Sequence, residues 1–86
     1  MGTTFDVERI PPGAKLELYI HPECPYCVTA MAYYDAEGVM YTAHDAQNDR
    51  TLRAAMFAYT GGDPTVPAIV VDGSYKQSGW GSPPRG

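Results

Sequence analysis

Lys15-Leu16-Glu17-Leu18-Tyr19-Ile20 alternates polar and apolar residues, with Leu16, Leu18 and Ile20 on one face. That is the two-residue period of a strand with one face buried. His21-Pro22-Glu23 breaks the alternation, and from Cys24 the period lengthens. Cys27, Met31 and Tyr34 form one stripe, which predicts a helix from about Cys24 to Glu37 with Gly38 as its C-terminal cap. Pro25 suits the first turn of that helix, where its missing N–H removes no hydrogen bond. Val39, Tyr41 and Ala43 predict a second short strand ending at His44-Asp45. Asn48 or Asp49 can cap a second helix running to about Tyr59, with Leu52, Met56 and Tyr59 as its apolar face and Thr60-Gly61-Gly62 as its stop. Ala68-Ile69-Val70-Val71 is apolar enough for a central strand. Asp72-Gly73 is a hairpin turn signal, and Tyr75-Lys76-Gln77-Ser78 is its returning strand.

The order strand, helix, strand, helix, strand, strand predicts an α/β fold. A βαβ unit and a hairpin share one four-stranded mixed sheet, with the helices packed on it. Residues 1–13 end in Pro11-Pro12-Gly13, show neither period and read as an irregular N-terminal arm. Residues 14–82 read as the domain and 83–86 as a Pro/Gly tail. The tail, with Pro83 and Pro84 between glycines, cannot sustain a final helix.

Composition narrows the function. The 86 residues suffice for one small core. The six Lys and Arg are scattered and the net charge is −4, so no basic stripe exists for a sequence-independent grip on nucleic acid. No apolar run approaches the ~18 residues of a membrane span. The first twelve residues carry Asp6, Glu8 and Arg9 without the apolar core of a secretory leader. A cytoplasmic monomer with no bound cofactor or metal is expected. In a reducing cytosol, two cysteines three residues apart point to redox or metal chemistry rather than to a structural staple.

Cys24-Pro25-Tyr26-Cys27 sits where a strand gives way to a helix. Unpaired backbone N–H groups and the positive end of the helix dipole at that position favour a Cys24 thiolate. Cys27 lies one turn on along the same side, within the ~4.4–6.8 Å Cα separation that a disulfide tolerates. Cys24 is therefore the candidate nucleophile and Cys27 the residue that resolves the mixed disulfide. Tyr26 can wall the site. The rival is metal: a zinc site of Cys24, Cys27, His21 and His44, which needs His21 to turn back across a proline, or an iron–sulfur cluster shared between two chains. Two inert buried thiols, or a docking module of a larger reductase, are the remaining readings. His44-Asp45 could form a catalytic pair, but thiol chemistry needs none, and a structural role is expected.

Thr65-Val66-Pro67 lies about forty residues after the cysteines, just before the apolar strand. With the CPYC motif and the element order, it makes residues 15–81 resemble the glutaredoxin branch of the thioredoxin superfamily. The resemblance implies a minimal thioredoxin fold, a cis Pro67 facing the cysteines, and a Val66 backbone that hydrogen-bonds the substrate's cysteine moiety. It implies substrate or glutathione contacts at His21, Tyr26, Thr65, Val66, Pro67, Gly79 and Trp80, and glutathione as a co-substrate. The match departs at Ser78-Gly79-Trp80-Gly81-Ser82-Pro83. Most glutaredoxins carry a Gly-Gly pair there and then an acidic or Ser-Asp dipeptide opening a last helix. His21 also stands where glutaredoxins often have Lys. Ser78-Gly79-Trp80 instead resembles the C-terminal loop of NrdH-redoxins, which implies reduction by thioredoxin reductase, service to ribonucleotide reductase and a docking role for Trp80. Its other reading is a cap on the core.

Overall fold

The computed structural model describes residues 7–81 and 84–86. The element order is β1 (Leu16–Ile20), α1 (Pro25–Ala36), β2 (Thr42–Asp45), α2 (Arg50–Thr60), β3 (Ala68–Val71) and β4 (Ser74–Ser78). The strands form one sheet in the order β2-β1-β3-β4. β1 runs parallel to β2, while β3 is antiparallel to both β1 and β4. This is the mixed α/β sheet of a minimal thioredoxin fold. The expected start of the arm at residue 1, the domain end at 82 and the tail start at 83 lie outside the described residues.

Alternation along β1 divides the core in two. Leu16, Leu18 and Ile20 point to the face that carries Cys27, Ala30 and Tyr34 of α1, together with Ile69, Val71 and Trp80. Tyr19 points to the other face, where it meets Met56 of α2, Ala46, Ala68 and Val70. All four residues of β3 are buried, because β3 is interior to the sheet and covered on both sides. Val7, within the segment expected to be irregular, is only 5% exposed and belongs to the α1-side core. The Tyr34 hydroxyl donates to its carbonyl at 2.5 Å, and the Tyr33 hydroxyl donates to the next carbonyl, of Glu8, at 2.9 Å.

Helix ends follow their local chemistry. Asp49 caps α2, its carboxylate accepting from the N–H groups of Thr51 and Leu52. α1 ends in a Schellman motif: Gly38 N–H reaches the Asp35 carbonyl at 3.2 Å and Val39 N–H the Tyr34 carbonyl at 2.9 Å. Gly38 has φ 71, a conformation that costs an L side chain ~1–2 kcal/mol. This cap draws Val39 back onto the helix, so β2 begins at Thr42 rather than at Val39 as the alternation suggested. At the hairpin, Asp72 and Gly73 have φ 51 and 78, both positive as a type I′ turn requires. A bulge shifts the β3–β4 register between Ile69 and Val70, which pair with Gln77 and Tyr75, and beyond it Gln77 and Ser78 turn inward.

Candidate active site

β1 ends at Ile20, and the next three residues deliver Cys24 to the mouth of α1. The His21 carbonyl accepts the Cys24 N–H at 3.0 Å, and His21 Nδ1 accepts the Glu23 N–H at 3.2 Å. Cys24 is the N-cap residue of α1, extended at φ −77 and ψ 121, with Pro25 in the first turn. Its carbonyl accepts the Val28 N–H at 3.1 Å and so opens the helical ladder.

The two thiols are free and differ in environment. Cys24 is partly exposed, whereas Cys27 has no exposed surface and packs in the α1-side core. Burial pushes the Cys27 thiol up to about 12. The nearby Cys24 raises it further, by charge and by a side-chain hydrogen bond, while a backbone hydrogen bond from His21 pulls the other way. Tyr26 is 37% exposed and Val28 51%, so the first turn of α1 presents an apolar rim next to Cys24.

The Thr65-Val66-Pro67 loop reaches the same end of the sheet. β1 and β3 pair Tyr19 with Ala68, and continuing the ladder sets Ile20 level with Pro67 and His21 level with Val66. The Val66–Pro67 peptide bond is cis. Pro67 is buried and Val66 partly buried. Among the described residues, neither backbone group of Val66 has a hydrogen-bond partner. An Asx turn shapes the loop: the Asp63 carboxylate accepts the Thr65 N–H at 2.9 Å. Backbone and side-chain hydrogen bonds from Thr65 hold that carboxyl below the usual range. Asp63 escaped the sequence reading, although an Asp two residues before Thr65 is the signature of this turn. A cavity of about 320 Å³ opens between Val66 and His21 on the α2 side, with Gln47, Arg53, Phe57 and Pro64 on its walls. The Arg53 guanidinium is anchored to the carbonyls of Ala46 and Gln47.

The remaining candidates fall elsewhere. Gly79 is buried, and its N–H donates to the Pro67 carbonyl at 2.8 Å, tying the end of β4 to the loop. Trp80 is 8% exposed, with its ring centroid 5.6 Å from Tyr33 and 5.4 Å from Tyr34. It caps the α1-side core. His44 stacks on Tyr19 at 4.7 Å and meets Glu17 Oε2 at 3.1 Å. Asp45 accepts from the N–H groups of Gln47 and Asn48, and these bonds with the Asn48 side chain hold its carboxyl low. Both residues of His44-Asp45 are thus engaged in structure. Among the described residues, no three His, Cys, Asp or Glu side chains converge to hold a metal, so the four-ligand set including His21 and His44 does not assemble. Among those residues, no helix is long and apolar enough to cross a membrane.

Two thiols of unequal exposure, one at a helix mouth and one behind it, beside an unpaired stretch of backbone, suit thiol–disulfide exchange with an extended substrate. Residues 16–76 match the profile of a family described as Glutaredoxin. The chain is similar to a probable glutaredoxin of Synechocystis sp. (strain ATCC 27184 / PCC 6803 / Kazusa), with 33% identity over 60 residues, covering 70% of this chain and 68% of the relative. A second probable glutaredoxin of that organism is 36% identical over 59 residues, covering 69% of this chain and 54% of the relative.

Proposed function

Because the chain belongs to the glutaredoxin family and is a thiol–disulfide oxidoreductase, we propose that it reduces protein disulfides or glutathione mixed disulfides by a dithiol mechanism led by Cys24. The observation that carries this reading is the unequal burial of the two thiols. A partly exposed Cys24 at the N-cap of α1 can meet a substrate sulfur, whereas the buried Cys27 cannot. Cys24 attacks the substrate disulfide, forming a new S–S bond and expelling the first thiolate. Cys27 then loses its proton, attacks the Cys24 sulfur and releases the second thiolate, which leaves an intramolecular disulfide.

The environment of Cys27 suits this order of events. Part of what keeps its thiol protonated is the charge and hydrogen bonding of Cys24. Both influences vanish once Cys24 is held in a mixed disulfide, while the His21 N–H remains to stabilise the Cys27 thiolate. Cys27 thus becomes a better nucleophile at the stage when it is needed. The free N–H and C=O of Val66 are the docking groups, pairing with the cysteine segment of an extended substrate as a short added strand.

Thiol trapping tests the mechanism. Cys24→Ser should abolish turnover, and Cys27→Ser should accumulate mixed disulfide with substrate. Full activity in both variants overturns it. Glutathione is the proposed electron donor, in the cytoplasm. Thioredoxin reductase is the second reading, favoured by Ser78-Gly79-Trp80. NADPH consumption with glutathione and glutathione reductase, against thioredoxin reductase alone, separates the two. Preference for the latter makes ribonucleotide reductase the partner to test.

A further inference from the structure

The backbone of Val66, free of hydrogen bonds among the described residues, is nevertheless covered. Trp80 N–H donates to the Arg85 carbonyl at 2.7 Å and Arg85 N–H to the Trp80 carbonyl at 3.0 Å, an isolated antiparallel bridge. Gly79, hydrogen-bonded to the Pro67 carbonyl, holds this bridge beside the loop. The next residue, Gly86, then lies directly against Thr65 and Val66. A Cβ on Gly86 would stand 2.0 Å from the Val66 carbonyl oxygen, 2.9 Å from its nitrogen and 2.7 Å from Thr65 Cγ2. Only a residue without a side chain fits there.

We propose that residues Pro84–Gly86 are a strap that competes with substrate for the Val66 backbone and so sets which disulfides reach Cys24. This rests on the reading of Val66 as the docking backbone. The strap is suited to come and go. Pro84, Arg85 and Gly86 are all exposed, and Pro84 has no N–H with which to extend the bridge. Gly86 makes no hydrogen bond to Val66 that substrate would have to replace. A substrate able to add a strand at Val66 must displace it. A small thiol reagent that needs only Cys24 does not. The strap therefore acts on affinity, and the chemical step is untouched.

The test is single-turnover reduction of a fluorescent peptide–glutathione mixed disulfide by the pre-reduced protein. Two electrons from the Cys24/Cys27 dithiol reduce one S–S bond, giving peptide thiol, glutathione and oxidised protein. Three proteins are compared: the full chain, a chain ending at Pro83, and Gly86→Ala, whose methyl group collides with Val66. The half-saturating concentration should fall about fivefold in both variants, as for a strap closed roughly four-fifths of the time. The limiting rate and the rate of Cys24 alkylation by iodoacetamide should not change. An equal or higher half-saturating concentration overturns the strap. If the shortened chain fails to fold, Gly86→Ala decides alone. Amide hydrogen exchange of Val66 in the mixed disulfide trapped by Cys27→Ser tests the underlying reading separately. A protected Val66 with unchanged half-saturation sinks the strap only, and an unprotected one sinks the docking reading with it.

Discussion

Cys27, one turn into α1, and Tyr34, two turns further on, are both without exposed surface, and each ties burial to a polar atom. For Cys27 the consequence is a pH dependence. Its thiol is held at about 12 in the folded chain against an ordinary value of 9.0, so the unfolded chain releases this proton first. The stabilisation is fully present below pH 9 and is lost as pH rises toward 12. Tyr19 and Tyr41 are also raised above 10.0 by burial and add to the slope as pH nears 10, so the slope around pH 9 is the one the cysteine leads. Urea unfolding of the reduced protein should show stability falling there by no more than ~1.4 kcal/mol per pH unit for this group. Cys27→Ala should flatten the slope. Tyr34→Phe strips the buried Val7 carbonyl of its donor and should cost about 1–2 kcal/mol in the same experiment. Tyr33→Phe, whose bond to Glu8 is exposed, should cost about 0.5 kcal/mol.

Elements written in strong local signals formed where the sequence put them. β1, β3 and the Asp72-Gly73 turn follow from alternation and turn chemistry. α2 starts one residue after Asp49, as its cap predicts. Asp49→Ala should lower stability by about 1 kcal/mol. Gly38→Ala should cost about the same, and the cost is purely backbone: no atom lies within 4 Å of the added methyl. What the sequence concealed depends on contacts between distant segments. Val39 reads as strand by alternation, yet its N–H is taken by the α1 cap, and Met40 beside it is 85% exposed. Val7 sits among polar residues with no period to mark it, and only the Tyr34 hydroxyl reveals why it is inside. The placement of Cys24 and Cys27 at the start of α1 and of a cis Pro67 at the start of β3 was legible because each lies in a short motif at an element boundary. The close approach of Gly86 to Val66 has no local signature at all.

At the scale of the whole molecule, the sheet separates two packed layers, with Val66 at its end packed against both. The α1 side holds Cys27, Tyr34 and Trp80, and the α2 side holds Tyr19 and Met56. β3 alternates between them, Ile69 and Val71 to one side and Ala68 and Val70 to the other, so the loss of either layer exposes half of the central strand. A chain of this size should unfold as one unit. Met56→Ala, a cavity on the α2 side, should therefore destabilise the α1 side equally, by about 2–5 kcal/mol. The sequence contains one tryptophan, and it is nearly buried between Tyr33 and Tyr34. Its indole emission should be blue in the native state and move to the red on unfolding. Excitation of the neighbouring tyrosines should feed it by energy transfer. The protein thus carries a single optical probe confined to one layer. With Met56→Ala placed in the other, coincidence of the emission shift and the far-ultraviolet signal reports whether the layers part together, without a dye or a tag.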